Sequence, residues 1–277
     1  MVSGTAFLGG GNMATALVGG LLATGAEPGD ILVADLNAAA RQSLADRYGV
    51  RTTEKLVADD LREIDILVLA VKPQQMQEAL APLAGALSDQ VVVSVAAGLP
   101  MVVIGEWLGG YAKIVRAMPN TPALIRAGIT GLCARPEVDA IGRRAAERLM
   151  HSVGTTVWFD DEAMMDGVTA ISGSGPAYFF LFIEALQQAG LAMGFSEEQA
   201  RLLAIGTAEG AARLAVQSDE TVSELRARVT SKGGTTEAAL HTMQERGVPD
   251  GIIAGAQAAL ARGRELGAQL ARTGKQN

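Results

Sequence analysis

The sequence predicts a two-domain protein, with a doubly wound parallel α/β sheet in residues 1–160 followed by an all-α domain in residues 161–277. Three observations predict this fold class. Short apolar runs alternate with helix-like stretches through the first half of the chain. A glycine-rich turn, Gly9–Ala14, follows the first apolar run. After about Asp160 the composition shifts to Ala, Leu, Glu, Gln and Arg in long periodic stretches.

The apolar runs of the first half lack polar alternation, which is typical of parallel strands buried on both faces. The predicted strands are Thr5–Leu8, Ile31–Asp35, Ile64–Val71, Gln90–Val95 and Lys113–Arg116, with edge strands over Gly128–Cys133 and Gly154–Trp158. Helical spacing between them predicts helices over Asn12–Thr24, Asn37–Tyr48, Gln74–Leu87, Pro100–Leu108 and Val138–His151. Repeated strand–helix units require right-handed crossovers, so these elements build one doubly wound sheet.

The second half has few aromatic or β-branched runs, and its periodic stretches predict helices. They cover Glu162–Met193, Ser196–Gln217, Thr221–Val229, Thr236–Arg246 and Val248–Thr273. Ser196 with Gln199 forms a capping box at the start of the second of these helices. The last helix carries little apolar bulk and many small residues, which permit close helix–helix approach. We therefore predict a helical domain that a second subunit completes.

Composition argues against several functions. The formal net charge is −7 and no run of Lys and Arg offers a track for phosphates, so no nucleic-acid partner is expected. The only cysteine, Cys133, cannot form an intrachain disulfide, which favours a reducing compartment, and its flanks predict a packing role in a buried strand. His151 and His241 have no metal-spaced partner, so neither a metal site nor Ser-His-Asp chemistry is predicted.

The chain is not expected to enter a membrane. No apolar stretch reaches the roughly 18 residues of a spanning helix. The first residues also lack the basic and apolar regions of a signal peptide. We therefore expect a cytoplasmic location.

The glycine turn Gly9–Ala14 has the pattern G-x-G-x-x-A between an apolar strand and a helix. The first glycine permits the tight turn, the second lets the backbone approach a pyrophosphate, and Ala14 lets the helix pack on the strand. The phosphates then bind free N–H groups at the helix N-terminus. This context favours a Rossmann-like dinucleotide site, and a purely structural turn is the alternative.

Asp35 ends the second predicted strand, where an acid usually accepts hydrogen bonds from the adenosine ribose and repels a 2′-phosphate. No basic residue follows at once, and Arg41 comes a helical turn later. This local chemistry favours NADH. The alternative interpretation is that Asp35 only caps the following helix.

Two further loops leave strands at the edge where open parallel sheets bind their ligands. They are Ala70–Pro73 and Ser94–Gly98, and their small residues leave room for a dinucleotide. Lys72 directly precedes Pro73 at the start of a helix. We expect it to make a phosphate or structural contact rather than to donate a proton.

Two glycine-rich segments of the second half predict a small-anion site. Ile171–Tyr178 interrupts a long helical stretch, and its glycines and proline are expected to leave N–H groups unpaired. Ser231–Thr236 is a glycine turn with hydroxyl groups at a helix start. Together their N–H and hydroxyl groups can hold a carboxylate without an arginine. Taken singly, each segment is explained equally well as a helix kink or cap.

At these motifs the chain closely resembles the pyrroline-5-carboxylate reductases, over essentially its whole length. The matching segments are Gly9–Ala14, Ala70–Pro73, Ser94–Gly98, Arg116–Pro122, Ala170–Tyr178 and Arg228–Glu237, of which the last is the most specific. The resemblance implies NAD(P)H-dependent reduction of Δ1-pyrroline-5-carboxylate to L-proline, the last step of proline biosynthesis. The hydride passes directly to the imine carbon, so the protein needs mainly to hold the ring against the nicotinamide and fix the carboxylate.

The resemblance also implies roles for individual residues. Thr236 and Ser174 are the expected catalytic residues, with Thr236 the first choice. The expected substrate-binding residues are Gly173, Gly175, Ser231, Gly233, Gly234, Thr235 and Thr236. The expected cofactor-binding residues are Leu8, Gly9, Gly10, Gly11, Asn12, Met13, Asp35, Ala70, Val71, Lys72, Pro73, Ala96, Ala97, Gly98 and Asn120.

Asp35 departs from the family pattern, because members that favour NADPH often carry Ser, Asn or Arg near this position. The family implies NADPH and the local chemistry favours NADH, so we expect NADPH as the cofactor, with NADH usable. The resemblance further implies a homodimer with exchanged helical domains, which in this family often builds larger rings. Two alternatives stay open: another imine or β-hydroxyacid-type reductase on the same scaffold, and a non-catalytic nucleotide- or proline-binding protein.

Overall fold

The structure, a computed structural model, describes residues 4–273 and the side chains of residues 4–269. The described residues form two compact units. One comprises residues 4–174 together with residues 259–273, and the other is Gly175–Ala258. An α/β domain followed by a helical domain is thus confirmed. The predicted boundary between residues 160 and 161 stays a prediction.

An eight-stranded sheet organises the first unit. Its strands are β1 (Thr5–Leu8), β2 (Ile31–Ala34), β3 (Arg51–Thr53), β4 (Ile66–Leu69), β5 (Val91–Ser94), β6 (Ile114–Met118), β7 (Gly128–Ala134) and β8 (Gly154–Trp158). They lie in the order β3-β2-β1-β4-β5-β6-β7-β8. The first six are parallel, β7 is antiparallel to β6, and β8 is parallel to β7. The strand order reverses between β1 and β4, the point at which such sheets bind nucleotides.

In the described part of the chain, five helices lie between these strands along the sequence, and a sixth follows β8. They are α1 (Asn12–Ala23), α2 (Ala38–Tyr48), α3 (Met76–Leu80), α4 (Met101–Trp107), α5 (Ala140–His151) and α6 (Met164–Val168). Short 3₁₀ turns cover Pro28–Asp30, Ala58–Leu61, Pro73–Gln75, Ala81–Leu83 and Thr121–Ile125. A π-turn, Thr169–Gly173, follows α6 directly.

Both faces of the sheet are buried, as the continuous apolar runs predict. Consecutive residues of one strand alternate between faces, so Phe7 and Val68 belong to one apolar cluster whereas Ala6 and Leu67 belong to the other. Cys133, in β7, is 1% exposed. Its predicted packing role is confirmed.

Two predictions in the first half are wrong. The helix expected over Gln74–Leu87 is broken into two 3₁₀ turns and the five-residue α3. Pro82 lacks the N–H that an α-helix would use there, and Gly85 has a positive φ of 75°. Strand β3 is missing from the prediction because it is short, polar and at the sheet edge, where no apolar pattern marks it.

The second unit is built from helices alone. They are α7 (Gly175–Ala192), α8 (Glu197–Gln217), α9 (Val222–Arg228), α10 (Thr235–Glu245) and the start of α11 (Val248–Thr273). Helices α7 and α8 pack closely where a Cβ on Gly190 would be 3.1 Å from the Cβ of Ala200. The helix predicted over Glu162–Met193 is not continuous, because the π-turn divides α6 from α7.

Almost no side chain of the second unit is buried. Within Gly175–Ala258 the buried residues are Gly175, Gly190, Ala200 and Ala204, all of them small. The first unit, in contrast, buries large side chains on both faces of its sheet.

Among the described residues, no helix combines the length and the apolar character that crossing a membrane requires. The predicted cytoplasmic location stays a prediction.

Candidate active site

The glycine turn after β1 depends on the absence of a side chain at Gly9. Its N–H donates to Ala34 O over 2.7 Å, and its φ is 105°. A Cβ here would be 2.8 Å from the main chain of Ala70 and Val71. Any other residue would therefore push apart the two segments that follow β1 and β4.

Gly11 begins helix α1 and leaves the space in front of it open. It is the N-cap residue and has no side chain to accept hydrogen bonds from the first turn. No atom lies within 4 Å of the place where its Cβ would be. The first N–H bonded back into this helix is that of Thr15, to Gly11 O. The preceding N–H groups and the helix dipole can therefore bind an anion, and a pyrophosphate fits this arrangement.

Asp35 fixes the glycine turn. Its Oδ2 accepts the N–H of Gly10 over 2.7 Å, and its Oδ1 accepts the N–H of Asn37 over 2.8 Å. Helix α2 is capped by Asn37, whose side chain accepts the N–H groups of Ala39 and Ala40. Asp35 is thus not the helix cap. Its carboxylate oxygens keep further lone pairs for ligand hydroxyl groups.

The structure brings Arg41 to the end of β2, which sequence reasoning did not foresee. Its Nη1 donates to the carbonyl oxygens of Asp35, over 2.7 Å, and Leu36, over 3.1 Å. The guanidinium therefore lies beside Asp35, at the end of β2. In such folds this position contacts the adenosine ribose, where NADPH carries a 2′-phosphate and NADH does not. The six-residue spacing between Asp35 and Arg41 is the only sequence signal that could have indicated this contact.

The loops after β4 and β5 lie at the same sheet edge as the glycine turn, because β1, β4 and β5 are neighbouring parallel strands. Ala70 donates its N–H to Leu8 O over 2.8 Å, and Ala96 donates to the Oγ of Ser94 over 3.3 Å. Lys72 is exposed and forms no ion pair with any residue that the structure describes. These positions fit the predicted cofactor edge.

Asn120 follows β6 and is 9% exposed. Its Nδ2 donates to Ser172 O over 3.1 Å, and its Oδ1 accepts the N–H of Ile129 over 3.0 Å. Both ends of its amide thus form hydrogen bonds within the protein. The cofactor contact that we expected of Asn120 stays a prediction.

The helix interruption at residues 169–174 is a π-turn rather than a set of unpaired donors. Ser174 donates its N–H to Thr169 O over 2.8 Å, so this donor is paired, contrary to the expectation. A Cβ on Gly173 would be 2.7 Å from Cε of Met118, which shows how tightly the turn packs on the end of β6. Gly175 is buried, but no atom lies within 4 Å of its Cβ position. Single π-turns are frequent at functional sites.

The loop before α10, in the second unit, uses two of its predicted donors internally. Gly233 donates its N–H to Oε2 of Glu237 over 2.7 Å, and Gly234 donates to Ser231 O over 3.0 Å. The sequence analysis did not predict that Glu237 accepts this hydrogen bond. A Glu in the first turn of a helix commonly accepts an N–H from the residues that precede the helix. Gly233 and Gly234 therefore shape the turn instead of presenting free donors.

Helix α10 still offers an anion site at its start. Gly234 is its N-cap and has no capping side chain, and Ala238 is the first residue whose N–H bonds back, to Gly234 O. The N–H groups of Thr235 and Thr236 precede it, and both residues also carry hydroxyl groups. A cleft of about 540 Å³ opens beside the loop, lined by Thr230, Gly233, Gly234, Glu237, Ala238, Leu240, His241 and Gln244.

Neither the cysteine nor a histidine supplies an evident acid–base pair. Burial raises the pKa of the Cys133 thiol, and the negative charge of Glu162 raises it further. His241 is exposed and lies 3.4 Å from Glu245 on the same helix.

The strand order, the glycine turn and Asp35 at the end of β2 are those of a dinucleotide-dependent oxidoreductase. A helical domain follows this dinucleotide-binding domain. Residues 5–98 match the family described as NADP oxidoreductase coenzyme F420-dependent, and residues 162–266 match pyrroline-5-carboxylate reductase dimerisation. A relative that is 44% identical over 96% of this chain shows that the chain belongs to the pyrroline-5-carboxylate reductase family. The match to the dimerisation domain supports a homo-oligomer.

Relatives match along nearly the whole chain. The pyrroline-5-carboxylate reductase of Pseudomonas aeruginosa is 44% identical, over 96% of this chain and 97% of its own. The corresponding protein of Vibrio alginolyticus is 41% identical, over 94% and 96%.

Solved structures agree with these matches. The pyrroline-5-carboxylate reductase of Coxiella burnetii has a TM-score of 0.90 at 40% identity, covering 96% of this chain and 99% of that one. The Plasmodium falciparum pyrroline carboxylate reductase, solved with NADP bound, has a TM-score of 0.85 at 28% identity, covering 96% and 98%. NAD(P)H is therefore the cofactor that this family and fold support.

Gly11→Ala should weaken cofactor binding but leave the folding stability nearly unchanged. The added methyl meets no protein atom but occupies the space that a pyrophosphate needs, so NADPH binding should weaken by about 1–3 kcal/mol. The free energy of unfolding without cofactor should change by at most about 1 kcal/mol. Calorimetric titration with NADPH and urea denaturation measure the two quantities.

Gly29→Ala is the matched control for Gly11→Ala, because its Cβ position is equally open and it lies in a 3₁₀ turn away from the glycine turn. Equal NADPH affinity in both variants and the parent would mean that no phosphate approaches Gly11.

Proposed function

We propose that this protein reduces Δ1-pyrroline-5-carboxylate to L-proline with NAD(P)H, the last step of proline biosynthesis. The observation that carries the proposal is the 44% identity over 96% of the chain with a pyrroline-5-carboxylate reductase. The open N-terminus of α1 and the open N-terminus of α10 supply the two anion-binding sites that such a reaction needs.

The reaction adds a hydride to the imine carbon C5 and a proton to the ring nitrogen. When bound, NAD(P)H supplies the hydride from C4 of its nicotinamide and leaves as NAD(P)⁺. A cyclic imine takes its proton readily from water, so the protonated ring is already an electrophile. The main contribution of the protein is to orient the reactants, which can lower a barrier by about 7–11 kcal/mol.

We assign the substrate carboxylate to the start of α10. The N–H groups of Thr235 and Thr236 belong to the first turn of α10, whose N-cap Gly234 has no capping side chain. Both residues carry hydroxyl groups, and Ser231 adds another in the loop that precedes the helix. A helix N-terminus favours a carboxylate through its unpaired donors and its dipole. The roles predicted for Gly173, Ser174 and Gly175 at the substrate stay predictions.

The test of the function follows NADPH absorbance with racemic pyrroline-5-carboxylate and identifies the product. We expect oxidation of NADPH with formation of L-proline. Turnover of a β-hydroxyacid or of another imine, but not of this substrate, would instead indicate a different reductase. Binding of NADPH and proline without any turnover would indicate a non-catalytic protein.

We further propose that NADPH is the preferred cofactor and NADH a usable one. Asp35 repels a 2′-phosphate, but the Arg41 guanidinium beside it offers a cation that can attract one. Arg41 is half-buried and its side chain is already ordered by two carbonyl oxygens. A charged pair formed there loses less side-chain entropy than one made by a mobile arginine.

Arg41→Ala should lower the preference for NADPH over NADH about tenfold, because a charge-assisted hydrogen bond contributes about 1.5–3 kcal/mol. Asp35→Ser should shift the preference in the opposite direction. The measurement is kcat/KM for both cofactors at fixed substrate. Arg47→Ala is the control, since Arg47 lies on the same helix but stacks on Tyr48. An unchanged ratio in the Arg41 variant would remove this residue from the cofactor site.

Thr236→Ala should raise the KM for pyrroline-5-carboxylate, with a loss of about 1–3 kcal/mol of binding if a buried hydrogen bond disappears. The KM for NADPH should stay the same. Thr242→Ala serves as the control, because Thr242 lies on the same helix and its hydroxyl bonds only to Ala238 O. Wild-type kinetics in the Thr236 variant would exclude Thr236 from the substrate site.

We also propose that two copies form a homodimer with exchanged helical domains, which can build larger rings. Four consecutive residues of α7 are large, apolar and exposed: Phe179 68%, Phe180 65%, Leu181 68% and Phe182 46%. Consecutive helical residues point in different directions around the axis, so a single flat contact cannot cover them all. Interlocked helices from a second copy would surround α7.

Phe180→Glu should dissociate the dimer, because an unpaired carboxylate buried in the subunit contact costs several kcal/mol. Light scattering coupled to size exclusion would report a monomer mass. Ile141→Glu is the control, since Ile141 is 67% exposed on α5 of the other unit. A dimer mass for the Phe180 variant would place the subunit contact elsewhere.

A further inference from the structure

Arg116 is a buried cation that the proposed reaction does not use directly. It lies in β6 and is 5% exposed. Its Nη1 is 3.3 Å from Oε1 of Glu162, and its Nη2 is 3.1 Å from Oδ1 of Asp166. Glu162 lies just before α6 and Asp166 lies within it, so one guanidinium joins β6 to this short helix and to the residues that lead into it.

Glu162 extends the same cluster to a second loop. Its Oε1 also accepts the N–H of Met101 over 2.8 Å, at the start of α4. Met101 follows the loop Ser94–Gly98, which lies at the predicted cofactor edge. The cluster of Arg116, Glu162 and Asp166, called here the Arg116 cluster, therefore connects β6, α6 and the segment after β5.

The π-turn lies directly between the Arg116 cluster and the loop after β6. Ser172 O accepts from Asn120 Nδ2 over 3.1 Å, and Gly173 packs on Met118. Asp166 is on α6, which runs without a break into the π-turn. The turn is thus held at its base by the ion pairs and at its end by the Asn120 amide.

Stability alone is a weak reason for such a cluster. Taking an arginine and two carboxylates partly out of water is expensive, and apolar side chains of similar size often stabilise a protein as well or better. A guanidinium, however, presents several donors in a rigid plane and fixes the direction of each carboxylate that it binds. Its effect is on geometry more than on folding free energy.

We propose that Arg116, Glu162 and Asp166 are positioning residues, which hold the π-turn Thr169–Gly173 and the loop after β6 in the arrangement that hydride transfer needs. The kinetic part of this proposal rests on the proposed reductase function. The structural part, that the cluster orders the π-turn, does not.

The experiment compares Asp166→Asn and Glu162→Gln, which keep side-chain shape and remove charge, with the parent. Kinetic constants for pyrroline-5-carboxylate and NADPH are measured together with the melting temperature. Hydrogen–deuterium exchange of the peptide covering residues 169–174 reports the order of the π-turn, including the N–H of Ser174. Glu137→Gln is the matched control, because Glu137 pairs with Arg135 over 3.5 Å elsewhere in the same unit.

We expect kcat to fall about tenfold or more in each cluster variant, since a small misplacement of reacting groups can cost up to about a hundredfold. The KM for NADPH should stay within about twofold, and exchange of the π-turn should become faster. The control should match the parent in every measurement. Asp166→Glu, which restores the charge, should recover part of the lost kcat.

A lower melting temperature with unchanged kcat and unchanged exchange would overturn the proposal, because the cluster would then only stabilise the fold. Should one variant fail to fold, the other decides. If the parent itself does not oxidise NADPH, the proposed function fails, and exchange at residues 169–174 alone decides whether the cluster orders the turn.

Discussion

At Gly9 the main chain after β1 passes so close to the segment after β4 that no side chain fits between them. This contact brings the chain into the glycine turn at the point where the strand order reverses. Asp35 then holds the turn through the N–H of Gly10, and Gly11 leaves the front of α1 open. The direction of α1, and with it the proposed anion site, depends on this close approach between two backbones.

The proposed anion sites depend mainly on neutral main-chain donors, although the chain also has ordered arginines. The net charge is −7, yet both proposed anion sites use main-chain N–H groups at helix starts, and the one at α10 adds hydroxyl groups. Arg116 pairs with two carboxylates of the protein, and Arg41, proposed to attract a 2′-phosphate, is itself held by two carbonyl oxygens. Neutral donors suit a substrate that must be released after reduction, because binding without a buried ion pair avoids its desolvation cost.

Much of the fold could be predicted from the sequence, because buried parallel strands leave continuous apolar runs such as Ile66–Leu69. Elements that lack this signal could not. Strand β3 is polar and only partly buried, and the segment over Gln74–Leu87 has helical spacing but is interrupted at Pro82. In the candidate site, the motifs indicated which loops matter but not their hydrogen bonds. The partners of Arg116 lie 46 and 50 residues away, and no local pattern connects them.

The proposed substrate site and the association of two subunits both depend on the helical unit. None of the residues of α10 is buried within the single chain, and the buried residues of Gly175–Ala258 are all small. The free energy that orders this unit therefore cannot come from its own core, since burial of apolar side chains is the main favourable term in folding. In the proposed dimer, a second copy supplies that burial around the exposed apolar side chains of α7. The same buried area would then support the folding of the helical unit, the proposed carboxylate site at Thr235 and Thr236, and subunit association. The proposed site and the dimer are therefore expected to be thermodynamically linked to folding.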